Sequence, residues 1–169
     1  MTTPPTTAAP RVRNRAAEAD LFRKTIEAAR MGERLAFAVL FGQRGAAIAA
    51  YLGRAGDTPD LVRAMTRDVF SRAWRELPNL SPKQIDTFDA WLVKLADARL
   101  AAVHPRGLDA GIHGQPLRHR QVLALRLLMG LTSTEVARSL EASIDEVTQW
   151  EHQGLKALAA QSAQALRAA

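Results

Sequence analysis

Residues 132–146 read Thr-Ser-Thr-Glu-Val-Ala-Arg-Ser-Leu-Glu-Ala-Ser-Ile-Asp-Glu and contain two helix-start signals eleven residues apart. In each signal, at residues 132–135 and 143–146, a hydroxyl residue stands three positions before a glutamate. This pattern predicts a capping box, in which the hydroxyl oxygen accepts from the third helical amide and the glutamate accepts from the cap amide. A helix of about two turns fits between the two starts. A tight turn at Glu141-Ala142 completes a predicted helix-turn-helix.

The residues around this motif supply the apolar face that two crossing helices need. A supporting helix is predicted over residues 115–129, and Gly130 ends it as a C-terminal cap. Trp150 follows Val147 by three positions, a spacing that favours burial, whereas an exposed Trp150 would be an anchor for a protein partner. The crossing face consists of Val136, Ala137, Leu140, Ile144, Val147 and Trp150.

Four further helices are predicted before residue 104, because apolar positions there recur with the 3.6-residue period of a helix. Thr58 and Ser81 each precede a proline, and this pair of residues is typical of a helix start. Gly42 and Gly45 fall inside the second helix and predict either a close crossing with another helix or a break into two pieces. The four helices run over residues 17–31, 33–54, 59–77 and 82–103.

Changes of pattern along the chain predict its domain organisation. Residues 1–15 mix Pro, Thr and Ala with three arginines and lack an apolar period, so they are predicted to be a disordered tail. Residues 104–114 contain three glycines and a proline and predict a linker. The predicted domains are therefore residues 16–103 and residues 115–169. Since no segment has the pattern of a strand, the expected fold class is all-α, with two small helical domains.

The composition favours a soluble, cytoplasmic protein. Of the 169 residues, 47% are hydrophobic and 24% are charged, which is an ordinary globular balance. No apolar run approaches the roughly 20 residues of a membrane span, and the absence of cysteine excludes disulfides and thiolate metal sites. The net charge of +6 suits a polyanionic partner. However, residues 111–169 carry six Lys/Arg against five Asp/Glu, so the helix-turn-helix half is nearly neutral.

Three segments together resemble extracytoplasmic-function (ECF) sigma factors of RNA polymerase. Residues 66–74 read Thr-Arg-Asp-Val-Phe-Ser-Arg-Ala-Trp and resemble the Thr-Gln-Glu-Val-Phe-x-Arg-Ala-Trp signature of the second conserved region of that family. Residues 91–96, Trp-Leu-Val-Lys-Leu-Ala, resemble the next helix of the same region. Residues 117–158, with the helix-turn-helix, resemble the fourth region. The order of the segments agrees with the family over residues 20–160.

The resemblance implies a sigma factor that binds core RNA polymerase and promoter DNA and directs transcription initiation, with an anti-sigma factor as a further candidate partner. It implies no cofactor, metal, membrane or small-molecule substrate. The implied polymerase contacts are Thr66, Arg67, Asp68, Phe70, Trp74 and Arg75. The implied region 2 contacts with DNA are Phe88, Trp91, Lys94, Arg99 and Arg106, although Phe88 and Trp91 also fit an apolar core stripe. The implied recognition-helix contacts are Ser143, Asp145, Thr148, Gln149, His152, Gln153 and Lys156.

The chain departs from the family pattern at positions that should face DNA. Ala96-Asp97-Ala98 stands where the family usually reads Ala-Arg-Asn, so an anion replaces a cation. Residues 148–153 lack the Lys and Arg that usually follow in the recognition helix. Two alternatives therefore stay open. Besides a sigma factor, the chain could be a protein-interaction module on the sigma fold that has lost promoter recognition, or a helix-turn-helix regulator that dimerises through its N-terminal helices.

An enzyme is the least favoured class, because the sequence offers no catalytic constellation. The four histidines form neither a His-x-x-x-His pair nor a His-Glu-x-x-His motif. No glycine-rich phosphate loop follows a strand. We therefore expect no catalytic residues and no metal ligands.

Overall fold

The computed structural model describes residues 10–108 and 111–168, and within them the chain is almost entirely helical. A 3₁₀ turn at Leu77–Asn79 follows the third α-helix, and a π-helical turn at Ala124–Leu128 follows the sixth. The α-helices are α1 Pro10–Arg30, α2 Arg34–Gly53, α3 Pro59–Glu76, α4 Pro82–Asp86, α5 Phe88–Val103, α6 Leu117–Leu123, α7 Ser133–Leu140 and α8 Ile144–Ala168. The predicted all-α class is confirmed.

The predicted disordered tail is wrong for residues 10–15, because α1 begins at Pro10. A proline is tolerated in the first helical turn, where its missing amide would have no partner within the helix. Arg15 is also held from outside: its guanidinium donates to a carboxylate oxygen of Glu135 at 2.8 Å and to the carbonyl oxygen of Gly130 at 3.2 Å. These partners lie more than a hundred residues away, so local composition did not reveal them. Residues 1–9 lie outside the described residues.

The predicted helix starts are present, and one predicted helix is divided. The Thr58 hydroxyl accepts from the Leu61 amide, and Ser81 forms a capping box with Gln84. The expected single helix over residues 82–103 is interrupted at Thr87, whose φ and ψ of −117° and 31° leave the helical region. The Thr87 hydroxyl donates to the Lys83 carbonyl at 3.0 Å, a local bond that competes with regular helix geometry.

Helix α2 runs unbroken through both of its central glycines. Neither marks a close helix crossing: Gly42 is exposed with open space around it, and Gly45 is covered by the Phe41 ring of its own helix. Among the described residues, α2 is the one helix long and apolar enough to cross a membrane by length and composition. Its Ile48 and Leu52 are fully buried in the helical core.

A buried ion pair fixes α2 against α5. The Arg44 guanidinium donates to both carboxylate oxygens of Asp89, at 2.7 Å and 3.0 Å. It also lies over the Phe22 ring of α1, 4.3 Å from its centroid. Burial raises the pKa of Asp89, although the Arg44 hydrogen bonds and charge oppose the rise. Removing one member of such a pair leaves an uncompensated buried charge and is strongly destabilising. Through its contacts with Asp89 and Phe22, Arg44 of α2 therefore holds α1 and α5 in place.

One apolar core extends through both predicted domains. The π-helical turn contacts α2 and α5, and its Ala124 and Leu125 are almost completely buried. Helices α6 and α8 approach closely at Gly154, where an added Cβ would lie 2.9 Å from Leu123 Cδ1. Gly154 therefore permits the contact that orients α8.

We expect Gly154→Ala and Gly42→Ala to change stability in opposite directions. At exposed Gly42, alanine adds helix propensity and should stabilise the fold by roughly 0.5–1 kcal/mol. At Gly154 the new methyl group meets the buried Leu123 side chain, and overpacking of this kind costs about 1–3 kcal/mol. Urea unfolding of both variants provides the measurement. Equal stabilisation by the two substitutions would contradict the proposed role of Gly154.

Candidate nucleic-acid and polymerase interfaces

The helix-turn-helix forms through the two predicted capping boxes. The Thr132 hydroxyl accepts from the Glu135 amide at 3.2 Å, and the Glu135 carboxylate accepts from the Thr132 amide at 2.6 Å. Ser143 and Glu146 make the same reciprocal pair, at 3.2 Å and 2.8 Å. Between the boxes, α7 ends at Leu140 and is capped by Glu141, whose φ of 55° lies in the left-handed region. That conformation turns the chain sharply enough for α8 to begin three residues later.

Helix α8 is the second helix of this motif, the one expected to meet DNA, and one of its faces is exposed. All seven residues predicted to meet DNA are exposed in the structure. Val147 is fully buried on the opposite side and anchors the helix on the core. The exposed residues are Ser143, Asp145, Thr148, Gln149, His152, Gln153 and Lys156.

The exposed face of α8 carries acidic side chains at its N-terminal end. Asp145 and Glu146 lie in the first turn of α8. Hydrogen bonds from the Ser143 amide and hydroxyl hold the pKa of Glu146 below its usual value, so this carboxyl is ionised at neutral pH. Negative side chains suit the positive end of the helix dipole but repel phosphate. Any contact of this face with a DNA backbone would therefore need cations outside the first turn.

Trp150 belongs mainly to the core. It is half-buried and packs against the apolar cluster, and the Arg118 guanidinium lies 5.9 Å from its ring centroid. The structure thus favours the core interpretation of Trp150 over that of an exposed anchor. Behind it, Arg126 donates to the Glu151 carboxylate at 3.1 Å and 3.2 Å, and it also donates to the Leu131 carbonyl. These contacts fix α8 to the helix before the motif.

The two aromatic residues that the resemblance implied as DNA contacts are buried instead. Phe88 is 2% exposed and Trp91 is 9% exposed. Their rings pack on each other with centroids 5.4 Å apart, and Phe88 also meets Phe22 of α1 at 5.9 Å. A base cannot stack on a ring whose faces already contact protein. The core interpretation of these two residues therefore holds in this structure, and the predicted base contact does not.

The predicted cations of the same region remain at the surface, with different environments. Lys94 and Arg106 are exposed. Arg99 is partly buried and pairs with Asp68 of α3, with 2.8 Å between the closest nitrogen and oxygen. This ion pair joins a predicted DNA contact to a predicted polymerase contact, so the two surfaces meet where α3 packs on α5.

The predicted polymerase contacts on α3 divide into surface and core residues. Arg67, Asp68 and Arg75 are exposed, and Trp74 is partly buried. Thr66 is 6% exposed and its hydroxyl donates to the Val62 carbonyl, while Phe70 is 3% exposed. The prediction that Thr66 and Phe70 touch a partner is therefore wrong for this conformation. The reason is that the aromatic rings of α2 cover Phe70, with the Phe41 centroid at 4.7 Å.

A polar cluster that sequence reasoning missed joins the two halves of the chain. The Tyr51 hydroxyl donates to Asp97 Oδ1 at 2.7 Å, and Arg120 Nε lies 3.3 Å from the same oxygen. Burial, with the nearby Asp97 charge, raises the pKa of Tyr51 well above its usual value. His113 bonds the Tyr51 carbonyl at 2.8 Å, and burial lowers the pKa of His113. No local pattern could reveal this cluster, because its members are far apart in sequence.

The segment 104–114 is built into the fold wherever the structure describes it. His104 Nε2 lies 2.8 Å from a carboxylate oxygen of Asp57, and the Gly111 amide donates to the Gln161 side chain at 2.9 Å. Within residues 10–108 and 111–168, no group of three or more His, Asp or Glu residues is placed to hold a metal ion. The boundaries predicted for the two domains stay a prediction.

The chain is similar to known proteins in a sequence profile and in its fold. The sigma-70 region 4 family profile matches residues 116–160. The solved structure of CnrH in complex with the cytosolic domain of CnrY is similar with a TM-score of 0.61 and 23% identity, over 82% of this chain and 94% of that chain. The RsbN–BldN complex gives a TM-score of 0.42 and 23% identity, over 79% and 96% of the two chains. No curated protein sequence matches.

These matches confirm two of the expectations from sequence. The profile match covers α6, α7 and most of α8, so the predicted region 4-like helix-turn-helix is confirmed. The likeness to CnrH extends over both halves of the chain and supports the predicted fold.

We expect Phe88→Ala to lower the free energy of unfolding by about 3–5 kcal/mol, because it empties a packed aromatic site. Lys94→Ala, on the exposed side of the same helix, should change stability by no more than about 0.5 kcal/mol. Chemical denaturation followed by tryptophan fluorescence measures both. If Phe88→Ala left stability unchanged, the ring would be a surface residue and its predicted contact with DNA would be restored.

Proposed function

We propose that this chain is a sigma factor of the ECF type, which binds core RNA polymerase and directs it to promoter DNA. The observation that carries the proposal is the sigma-70 region 4 match on residues 116–160, together with the exposure of every predicted contact on the α8 recognition face. A region 4 motif with a buried recognition face would argue against promoter binding. The proposal assigns no catalytic step to the chain and places it in the cytoplasm.

The recognition helix would read bases mainly through uncharged side chains. Gln149 and Gln153 are four residues apart and share an exposed face of α8. A glutamine amide can bond both the N6 and N7 edges of adenine, and the methyl group of Thr148 can contact that of thymine. Lys156, one turn further on, is the cation of this face that can meet a phosphate. We therefore propose a site in which base contacts carry more of the affinity than phosphate contacts.

The polymerase contact would lie on the exposed side of α3. Arg67, Asp68 and Arg75 are exposed there, and the Asp68–Arg99 pair holds the edge of that surface against α5. Buried Phe70 and Thr66 would act indirectly, by holding α3 in place on the core. CnrH was solved with the cytosolic domain of CnrY. By analogy, we propose that an inhibitory protein partner competes with polymerase for this chain.

The test combines polymerase binding with transcription. Purified chain is mixed with core RNA polymerase, and the reconstituted enzyme is supplied with a library of genomic promoters. We expect co-purification and new transcripts. Gln149→Ala/Gln153→Ala should abolish most transcripts while leaving polymerase binding intact, because the proposal places these residues against DNA and not against polymerase. Gln164→Ala, exposed further along α8, is the matched control and should behave as the wild type.

A second candidate is supported by the acidic first turn of α8. Asp145 and Glu146 repel phosphate, and each lost phosphate contact lowers DNA affinity at physiological salt. On this interpretation the chain keeps the polymerase-facing surface of α3 and uses the helix-turn-helix to bind a protein. Co-purification with polymerase without any promoter-specific transcript would support it. Absence of polymerase binding would contradict both candidates and leave a separate DNA-binding regulator.

A further inference from the structure

One face of α2 is exposed and carries no charged residue. Residues three, four and seven positions apart lie on the same face of a helix. On this face Leu35 is 84% exposed and Val39 is 48% exposed, and Met31, in the turn before α2, is 82% exposed beside it. The exposed apolar face of α2 consists of Leu35, Ala38, Val39, Gly42, Ala46 and Ala50.

An apolar outer face is unusual for a helix at the surface of a globular protein. Such a helix normally turns apolar residues to the core and polar or charged residues to water. Helix α2 is apolar over its whole length, yet only 28% of that stretch is buried in the fold. The space beside Gly42, at the middle of the face, is open. A contiguous exposed apolar surface of this kind marks a site of interaction.

The side chains of this face fit another helix better than a lipid surface. Four of its six residues are alanine or glycine. Lipid binding gains most from long apolar and aromatic side chains, and small residues contribute little to it. Small residues instead allow two helix backbones to approach closely. The expected occupant is therefore a second helix with large side chains that fill the space above the small ones.

The face of α2 is complementary in shape to itself. Its large residues, Leu35 and Val39, lie before Gly42, and the small residues Ala46 and Ala50 lie after it. A two-fold axis through Gly42 makes two copies of α2 antiparallel, so that residues at similar distances from the axis meet. Leu35 and Val39 of each copy then lie over Ala50 and Ala46 of the other. Because the face itself is uncharged, it brings no like charges together although each chain carries a net charge of +6.

We propose that this face binds a second copy of the chain and forms a two-fold symmetric dimer in which two antiparallel α2 helices cross at Gly42. The inference goes beyond the proposed function and does not rest on it. Polymerase and promoter DNA take no part in the contact.

The size of the face indicates a reversible dimer. From Leu35 to Ala50 the helix rises about 22 Å, at 1.5 Å per residue. One helix face of that length buries less than the roughly 800 Å² per partner of a standard stable interface. We therefore expect a dissociation constant on the order of 10 µM, so that monomer and dimer exchange as the concentration of the chain changes.

Sedimentation velocity of the full chain measures the dimer directly. Between about 1 µM and about 200 µM, a range that brackets the expected dissociation constant, the mass should rise from one chain of 18.4 kDa towards twice that value. Gly42→Glu should remain a monomer throughout, because it places a charge and a long side chain at the crossing point. Gln164→Glu adds the same charge at an exposed position of α8 and should associate as the wild type does.

The Gly42→Glu monomer should stay folded. The space around Gly42 is open within the chain, and glutamate is a better helix former than glycine. Urea unfolding at low protein concentration should show a variant at least as stable as the wild type. Loss of the dimer in this variant would then reflect the surface of α2 and not its folding.

Disulfide formation tests the position of the axis. The protein contains no cysteine, so Gly42→Cys introduces one thiol per chain, and the axis brings the two thiols of a dimer together. A disulfide requires Cα atoms within about 7 Å of each other. Mild oxidation should convert Gly42→Cys to a covalent dimer much faster than Gln164→Cys, whose thiol lies on another helix.

Four results would overturn the proposal. The first is a wild type that stays monomeric at every concentration, and the second is a dimer that Gly42→Glu does not weaken. The third is a dimer that dissociates in about 0.5 M sodium chloride, because salt screens ion pairs but does not weaken an apolar contact. The fourth is a monomeric wild type that binds phosphatidylglycerol vesicles and loses this binding in Gly42→Glu, which would assign the face to lipid. None of these measurements uses polymerase, so failure of the proposed sigma function would leave their outcome unchanged.

Discussion

The packing of the π-helical turn Ala124–Leu128 against α2 and α5 is the constraint on which the rest of the structure depends. Its Met129 amide bonds the Ala124 carbonyl at 3.1 Å, five residues back, so the helix is locally widened. Leu125 is fully buried there. This contact belongs to one continuous apolar core, and it brings the helix-turn-helix within reach of Arg15 on α1 and Lys83 on α4.

The buried polar groups then decide which arrangement of the helices is allowed. Arg44 and Asp89 lock α2 to α5, and Tyr51, Asp97 and Arg120 lock both to α6. Charges of this kind are costly to bury unless they are partnered, and Arg120 Nε meets Asp97 Oδ1 at 3.3 Å without a hydrogen bond. The position of Arg120 explains why residue 97 is an anion where the family usually has a cation. The Asp97 carboxylate of α5 lies beside the Arg120 guanidinium of α6. A cation at that position would face the Arg120 guanidinium.

The structure divides the predicted contact residues into buried and exposed ones, a distinction that the sequence alone does not show. Phe70, Phe88 and Trp91 all lie in the half that resembles the second region of sigma factors, and all three are buried. If the proposed function holds, contacts on this surface would depend on the polar residues between them, such as Lys94 and Arg99. In the helix-turn-helix half the division is the reverse, because every predicted contact is exposed there.

The sequence by itself determined the all-α class, the helix starts and the helix-turn-helix, because caps, prolines and the 3.6-residue period act over a few neighbouring residues. It also predicted the exposure of the polar face of α8 and the burial of Val147, although Ile144, which was expected on the apolar crossing face, is 50% exposed. Tertiary structure alone decided that α1 reaches back to Pro10, that Phe88 and Trp91 are core residues, and that Glu135 and Glu141 meet Arg15 and Lys83. These outcomes depend on groups as far as 120 residues apart. Whether a stripe of apolar or charged residues faces solvent, the core or another part of the chain is fixed only when the distant helix that covers it is in place.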